Sequence, residues 1–281
     1  MSNTENTILL IGGPDAGKTH FGGQLYGRLS ARTEHYKILS SPDDISIFEE
    51  VLDKLNQGKS AGHTPVSEHR TVALEIEDKQ GKKSIFSFPD YGGEQIKTIV
   101  NARRLNKIWK DQIDKSTSWM VFIRPDKLNP IEDLVNRALP ATEILNKRKE
   151  KGGFHFSDSA FYVELLQMFL YAKGLGDSEG TVVPRLTIVL SCWDLLSSDE
   201  KKQLPKDILK GKLPELYSYI VSQWEPHSYS IIGLSSLSKT LSPTDSDQEF
   251  VNQGPESFGY IIDQEGAEQK DLTLSISSFI E

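Results

Sequence analysis

The sequence predicts an α/β protein: a mostly parallel six-stranded sheet with helices on both faces, one antiparallel hairpin, helical insertions and a short C-terminal β extension. Three observations point there. Short apolar runs alternate with amphipathic helical stretches, as crossover connections between parallel strands require. Two alternating segments joined by a short polar loop break that rhythm and form a hairpin. A glycine-rich turn follows the first apolar run and leads directly into a helix.

Thr7–Ile11 (TILLI) is a short continuous apolar run rich in Ile and Leu, the pattern of a strand buried on both faces. After the glycine-rich turn, Phe21, Leu25 and Leu29 recur every fourth residue, as on a helix. A second helix begins where Ser41 can cap, Pro42 fits the first turn and Asp43 and Asp44 suit its positive end. Ile45, Phe48, Val51, Leu52 and Leu55 form its apolar stripe, and Gly58 closes it. Thr71–Glu77 and Ser84–Phe88 make the hairpin across residues 78–83. Trp119–Ile123, Leu186–Leu190 and the weaker Ser230–Leu234 supply further strands.

Helices are expected over Pro130–Lys149, Ser159–Lys173 and Leu204–Trp224, and Phe161, Leu165, Met168, Phe169 and Ala172 read as a core-facing stripe. Ser235–Gly254 has the composition of a surface loop, and Tyr260–Ile262 and Leu272–Ile276 read as two short terminal strands. The expected organisation is one elaborated domain over residues 1–281. Its core spans about 5–236, with a helical insertion at about 126–182 and a C-terminal extension at about 237–281.

Composition narrows the chemistry. The 281 residues carry 32 Lys and Arg against 40 Asp and Glu, a net charge of −8 that does not suit phosphate-backbone or anionic-lipid binding. A single cysteine, Cys192, excludes an internal disulfide framework, and the six histidines show no metal-ligand spacing. No leader pattern and no run of ~20 apolar residues is apparent, so the expectation is a cytoplasmic protein without a membrane span.

Gly12-Gly13-Pro14-Asp15-Ala16-Gly17-Lys18-Thr19 matches G-x-x-x-x-G-K-[ST], the Walker A pattern, between a buried strand and a helix. Glycines there let backbone N–H groups converge on phosphate oxygens at a positive helix end. Lys18 would reach the outer phosphates and Thr19 would place its hydroxyl on Mg²⁺. Asp90-Tyr91-Gly92-Gly93 (D-x-x-G) follows the hairpin's second strand: Asp90 is suited to hold Mg²⁺ through water, and Gly93 can bring its N–H close to a γ-phosphate.

With both motifs in place, the sequence resembles the translation-factor-related (TRAFAC) class of P-loop GTPases, with a Ras-like sheet. The resemblance implies a threonine ahead of the hairpin that ligates Mg²⁺ and senses the γ-phosphate, for which Thr64 is the candidate. It also implies a carboxylate that reads guanine, usually within N-K-x-D after a buried strand. Here Ser191-Cys192-Trp193-Asp194 stands in that place: Asp194 matches the reader, whereas Ser191 and Cys192 replace Asn and Lys. Gly233-Leu234-Ser235-Ser236-Leu237 resembles the small-residue loop behind the base, with Ser235 and Ser236 as contacts.

Where relatives carry a water-orienting Gln after D-x-x-G, this chain has Glu94, with Gln95 next. Asp15 occupies the position at which potassium-stimulated members carry an Asn ion ligand, which admits K⁺ dependence. No arginine finger can be assigned, and Arg70, Arg103 and Arg104 read as surface charges.

Residues 163–168, 184–196 and 259–274 are further similar to the bacterial double-GTPase group of that class. That similarity implies a protein partner that is itself a GTPase, in conflict or defence loci. The implied activity is Mg²⁺-dependent GTP binding and slow hydrolysis as a switch, at ~10⁻⁴–10⁻² s⁻¹ without help. Two alternatives stay open: a nucleotide-binding interaction module that does not hydrolyse, and an ATPase.

Overall fold

The computed structural model describes residues 6–31, 35–40, 44–62, 70–90, 93–128 and 157–280, with the side chains at 70, 71, 89, 90, 278 and 280 left aside. Nine strands form one sheet: β1 (Asn6–Gly12), β2 (Tyr36–Ser40), β3 (Arg70–Asp78), β4 (Lys83–Asp90), β5 (Ser118–Ile123), β6 (Arg185–Ser191), β7 (Tyr229–Ser235), β8 (Tyr260–Ile262) and β9 (Glu268–Gln269). Their order is β2-β3-β4-β1-β5-β6-β7-β8-β9. The centre, β4-β1-β5-β6-β7, is parallel, and both edges are antiparallel.

The mostly parallel α/β architecture is thus as expected, and the six expected strands form its middle. Three strands lengthen the sheet beyond them. One is β2, whose five residues alternate only weakly and whose register shifts between Ile38 and Ser40. The others are β8 and β9, which extend the sheet past β7.

Apolar alternation divides the core into two layers. Leu9 and Ile11 point to one face with Trp119, Val121, Ile123, Ile188 and Leu190. That layer is covered by α3 (Glu94–Ala102), α4 (Lys107–Lys115), α5 (Asp158–Ala172), α6 (Pro205–Lys212) and α7 (Pro214–Gln223). Leu165 and Phe169 of α5 are fully buried there, so its expected stripe does pack inward, with Met168 and Ala172 partly buried beside them. Ile8 and Leu10 point to the opposite face with Met120, Phe122 and Val189, under α1 (Lys18–Ser30).

Four local expectations are corrected. The second helix, α2, is Ser46–Asn56 and starts later than residues 41–44 suggested; Asp44 instead accepts from the Ser46 N–H at 3.0 Å. Residues 41–43 lie outside the described set. The stretch Leu204–Trp224 is two helices, because Pro214 cannot donate and Leu213 adopts a non-helical backbone (φ −136°, ψ 65°). The segment Ser235–Gly254 is not loop throughout: it contains α8 (Gln248–Gln253), capped by Asp247, which accepts from the Phe250 N–H at 2.9 Å.

Leu272–Ile276 is a 3₁₀ turn rather than a strand, running into α9 (Ser277–Ile280). Asp271 accepts from the Thr273 N–H and starts that turn, which buries Leu272 and Ile276 against the α1 layer. The expected helix over Pro130–Lys149 lies outside the described residues.

The C-terminal third is tied to α1. The Arg28 guanidinium, buried on α1, donates to the carbonyls of Phe258 and Lys270, each at 2.5 Å, and to Glu256 at 3.2 Å. Phe279 and Leu272 pack in the same layer as Leu25 and Leu29. On α1, Gly22 and Gly23 leave room for Phe88 and Val51, whose atoms a Cβ would meet at 2.5 Å.

Candidate functional site

In a parallel sheet, loops after the C-terminal strand ends share one edge and form the crevice where ligands bind. Here the loops after β1, β5, β6 and β7, together with Gly93 after β4, line one open cleft of about 750 Å³. Residues 60–62 form a further wall.

The phosphate-loop residues occupy the floor. Gly12 ends β1, and Gly13 through Gly17 turn the chain into α1, with left-handed backbone at Asp15 (φ 56°) and Gly17 (φ 78°). Pro14, Asp15, Ala16, Gly17, Lys18 and Thr19 all line the cleft, and the positive end of α1 opens into it. Lys18, nearly buried, curls over its own loop: Nζ donates to the carbonyls of Gly12 at 2.7 Å and Gly13 at 2.9 Å.

Gly93 lies directly on this loop. A Cβ there would fall 2.1 Å from Pro14 N and 2.4 Å from Gly13 O, so no larger residue fits without displacing the phosphate loop. Glu94 lines the cleft beside it, 3.4 Å from Lys97 Nζ. Gln95 is turned elsewhere: the Trp109 indole N–H donates to its Oε1 at 3.5 Å, and it does not line the cleft. Asp90 closes β4 opposite Arg70, its side chain outside the described set, and Thr64 lies outside it altogether.

Asp194 stands at the other end, in a 3₁₀ turn just after β6. The Ser235 hydroxyl at the end of β7 donates to its Oδ1 at 2.5 Å, and Lys201 Nζ donates to its backbone carbonyl at 2.5 Å. Burial, with the Asp194 carboxylate close by, pushes the Tyr260 hydroxyl up to about 12. Trp193 is buried against Gly233, where a Cβ would meet its ring at 2.6 Å, and this packing fixes the direction of the turn. Ser236 and Leu237 line the cleft next to Asp194. Burial pushes the Cys192 thiol up to about 11, so it stays protonated and un-nucleophilic at neutral pH.

Several cleft residues were not singled out from the sequence. Arg124 and Lys127 project from the loop after β5; Lys127 Nζ pairs with Asp15 Oδ2 at 3.0 Å. His20 accepts the Ala61 N–H at 3.0 Å through Nε2, and burial lowers its pKa to about 4, consistent with the neutral ring this bond needs. Lys239, Thr240, Leu241 and Pro243 continue the wall beyond Leu237. One signal was available for the basic pair: Arg124-Pro125-Asp126-Lys127 immediately follows a buried strand, where crevice residues arise. Arg103 and Arg104 are exposed, as expected of surface charges, with Arg103 paired to Glu164 at 2.9 Å; the Arg70 side chain lies outside the described set.

A family model described as Double-GTPase 1 matches residues 9–279. The chain belongs to the Double-GTPase 1 family. That membership places it among the nucleotide-binding GTPase-family proteins. No curated protein matches the sequence. Among solved structures, this Double-GTPase 1 chain is similar to the S. cerevisiae Ski7 GTPase-like domain, crystallised with GDP and inorganic phosphate. The TM-score is 0.42 at 15% identity, covering 89% of this chain and 49% of that one, so the chain spans about half its length. Among the described residues, no helix is long and apolar enough to cross a membrane.

The donor set suits a hard cation. Thr19 brings a hydroxyl to the cleft, and Asp90 is the last residue of β4, the strand beside β1. Mg²⁺ is ordinarily held by one or two such protein oxygens, with phosphates and waters completing its shell.

Proposed function

We propose that the protein binds guanine nucleotides with Mg²⁺ and hydrolyses GTP slowly as a molecular switch that works with a protein partner. The observation that carries this reading is the convergence on one cleft of the phosphate loop, Gly93 and Asp194. In it, N–H groups from 13–18 and the α1 terminus receive the phosphates, with Lys18 exchanging its carbonyl partners for outer phosphate oxygens. Asp194, its other face held by Ser235, accepts two hydrogen bonds from the guanine edge, and Ser236 backs the base.

Thr19, Thr64 and, through water, Asp90 would hold Mg²⁺, which would supply charge neutralisation at the phosphates when bound. Gly93 donates its N–H to the γ-phosphate, and its closeness to Gly13 and Pro14 supports this role. Loss of that phosphate would release the segments at Thr64 and Gly93 together. Glu94 is the better placed of the two water-positioning candidates, because Gln95 is engaged by Trp109. Asp15 is the K⁺ candidate, and the Lys127 ammonium competes for the same carboxylate.

The family's description as a double GTPase supports a second GTPase as the partner, and the conflict or defence role is proposed with it. A titration of nucleotide-stripped protein with fluorescent GTP, GDP and ATP analogues tests the base assignment, and phosphate release from GTP tests hydrolysis. Guanine preference with slow release is the expected result. Adenine preference would sink the assignment of Asp194, and binding without phosphate release would leave a non-hydrolysing module.

A further inference from the structure

We infer that Arg124 is a further base-binding residue of the site, a guanidinium wall that supplies from β5 the cationic side chain missing at Cys192. The inference rests on the guanine-nucleotide reading above and names a residue which that reading does not use.

Cys192 is short, uncharged and protonated, and the cleft-lining side chains of its turn, Asp194 and Leu195, include no cation to lie over a purine ring. The neighbouring strand does. Ile123 pairs with Leu190 in parallel register, and the Ser191 hydroxyl donates to the Ile123 carbonyl at 3.2 Å. This bond joins the two strand ends, so Arg124 emerges beside Cys192 on the cleft side.

The Arg124 guanidinium is then held from two directions. Asp126 receives Nε at 2.9 Å and Nη2 at 3.1 Å, a two-pronged contact that fixes the plane of the group. Nη1 reaches the backbone carbonyl of Asp15, in the middle of the phosphate loop, at 3.4 Å. The side chain therefore spans from the base turn to the phosphate loop and is only 22% exposed. A planar cation locked in this way is suited to stacking on an aromatic ring. Leu237, lining the same cleft from the loop after β7, offers an apolar contact from another side.

Lys127 is not equivalent. It is 52% exposed and pairs with the Asp15 carboxylate, on the phosphate side of the loop. A wall for the base and a contact for the γ-phosphate make different demands on affinity. A base contact contributes equally to GDP and GTP, whereas a phosphate contact contributes more to GTP.

The test uses the full chain, stripped of nucleotide, with fluorescent GDP, GTP and ATP analogues, and thermal melting of the nucleotide-free forms as a check on folding. Arg124→Ala is expected to weaken GDP and GTP binding by the same factor, about ten-fold, at an unchanged melting temperature. Arg124→Lys should recover part of that loss. Asp126→Asn, which leaves the guanidinium but frees its plane, should show a smaller loss, again equal for the two nucleotides. If Arg124→Ala melts early, the Lys and Asn variants carry the comparison.

Unchanged binding in all three variants would overturn the proposal, as would a loss that grows from GDP to GTP. In either case, a parent that prefers guanine and an Asp194→Asn variant that does not would leave the guanine reading standing. A parent without guanine preference would overturn that reading and the role of Arg124 with it.

Discussion

The two ends of the cleft are built on opposite plans. The phosphate end is one contiguous stretch, residues 12–19, whose backbone would do most of the proposed binding and whose lysine folds back on its own loop. The base end is assembled from the turns after three strands, β5, β6 and β7, with Asp194 oriented by Ser235 from 41 residues away. A contiguous loop tolerates little change, because every residue shares one backbone path. A composite site can lose one side chain and recruit another from a neighbouring strand, which is how Cys192 and Arg124 are related here.

Substitutions at the two ends should separate them. The largest effect is expected from Lys18→Ala, which should weaken GDP and GTP alike by about 100-fold or more, measured by fluorescent-nucleotide titration. A change confined to one nucleotide would break the view that this end grips phosphates generally. Gly93→Ala follows. Its methyl group would collide with Gly13 and Pro14 and displace the phosphate loop, so GTP turnover should fall by about 100-fold and GDP affinity should fall with it, by about ten-fold. Single-turnover phosphate release measures the first and equilibrium titration the second.

At the base end, Asp194→Asn should cost guanine affinity about 10- to 100-fold and leave adenine binding unchanged, which competition between GTP and ATP analogues would reveal. Ser235→Ala removes the hydrogen bond that aims the carboxylate together with the one its oxygen accepts from the Ser238 N–H at 2.9 Å, and a loss of about three- to ten-fold is expected in the same assay. A Ser235→Ala loss as large as that of Asp194→Asn would mean that Ser235 meets the base directly.

The smallest effect concerns acid. Hydrogen bonds from Lys212 and Ser197 lower the Glu200 carboxyl to about 2, in the turn that follows Asp194. A carboxyl depressed on folding contributes stability that is present above its unfolded value near 4.5 and lost as pH falls towards 2. Melting curves between pH 5 and pH 2 should therefore fall less steeply for Glu200→Gln than for the parent. Equal slopes would remove Glu200 from the account of how the base turn is held.

The same contrast explains what could be read in advance. Residues 7–19 were legible because a buried strand, a glycine turn and a lysine at fixed spacing each carry a local signal that the fold does not alter. Asp194 was legible by its position after the Leu186–Leu190 run, even with its neighbours replaced. Arg124 was not, since only the parallel register of Ile123 with Leu190 brings it beside Cys192. His20 was invisible for the same reason: its partner, Ala61, is 41 residues away. Leu272–Ile276 misled because its alternation of Leu, Ser and Ile suits a strand, while Asp271 caps a tight turn that local hydropathy does not record.

Arg28 sets an order of events for the newborn chain. It lies ten residues beyond Lys18, on the helix that the phosphate loop opens, yet its carbonyl partners belong to Glu256, Phe258 and Lys270. Until the ribosome has released those residues, a guanidinium meant for the interior has only water to satisfy it, and the apolar side of α1 lacks Leu272, Ile276 and Phe279. The nucleotide-gripping segment is thus made well before the residues that complete it. A nascent chain halted near residue 240 should remain open to protease at α1, and one carried through residue 279 should not.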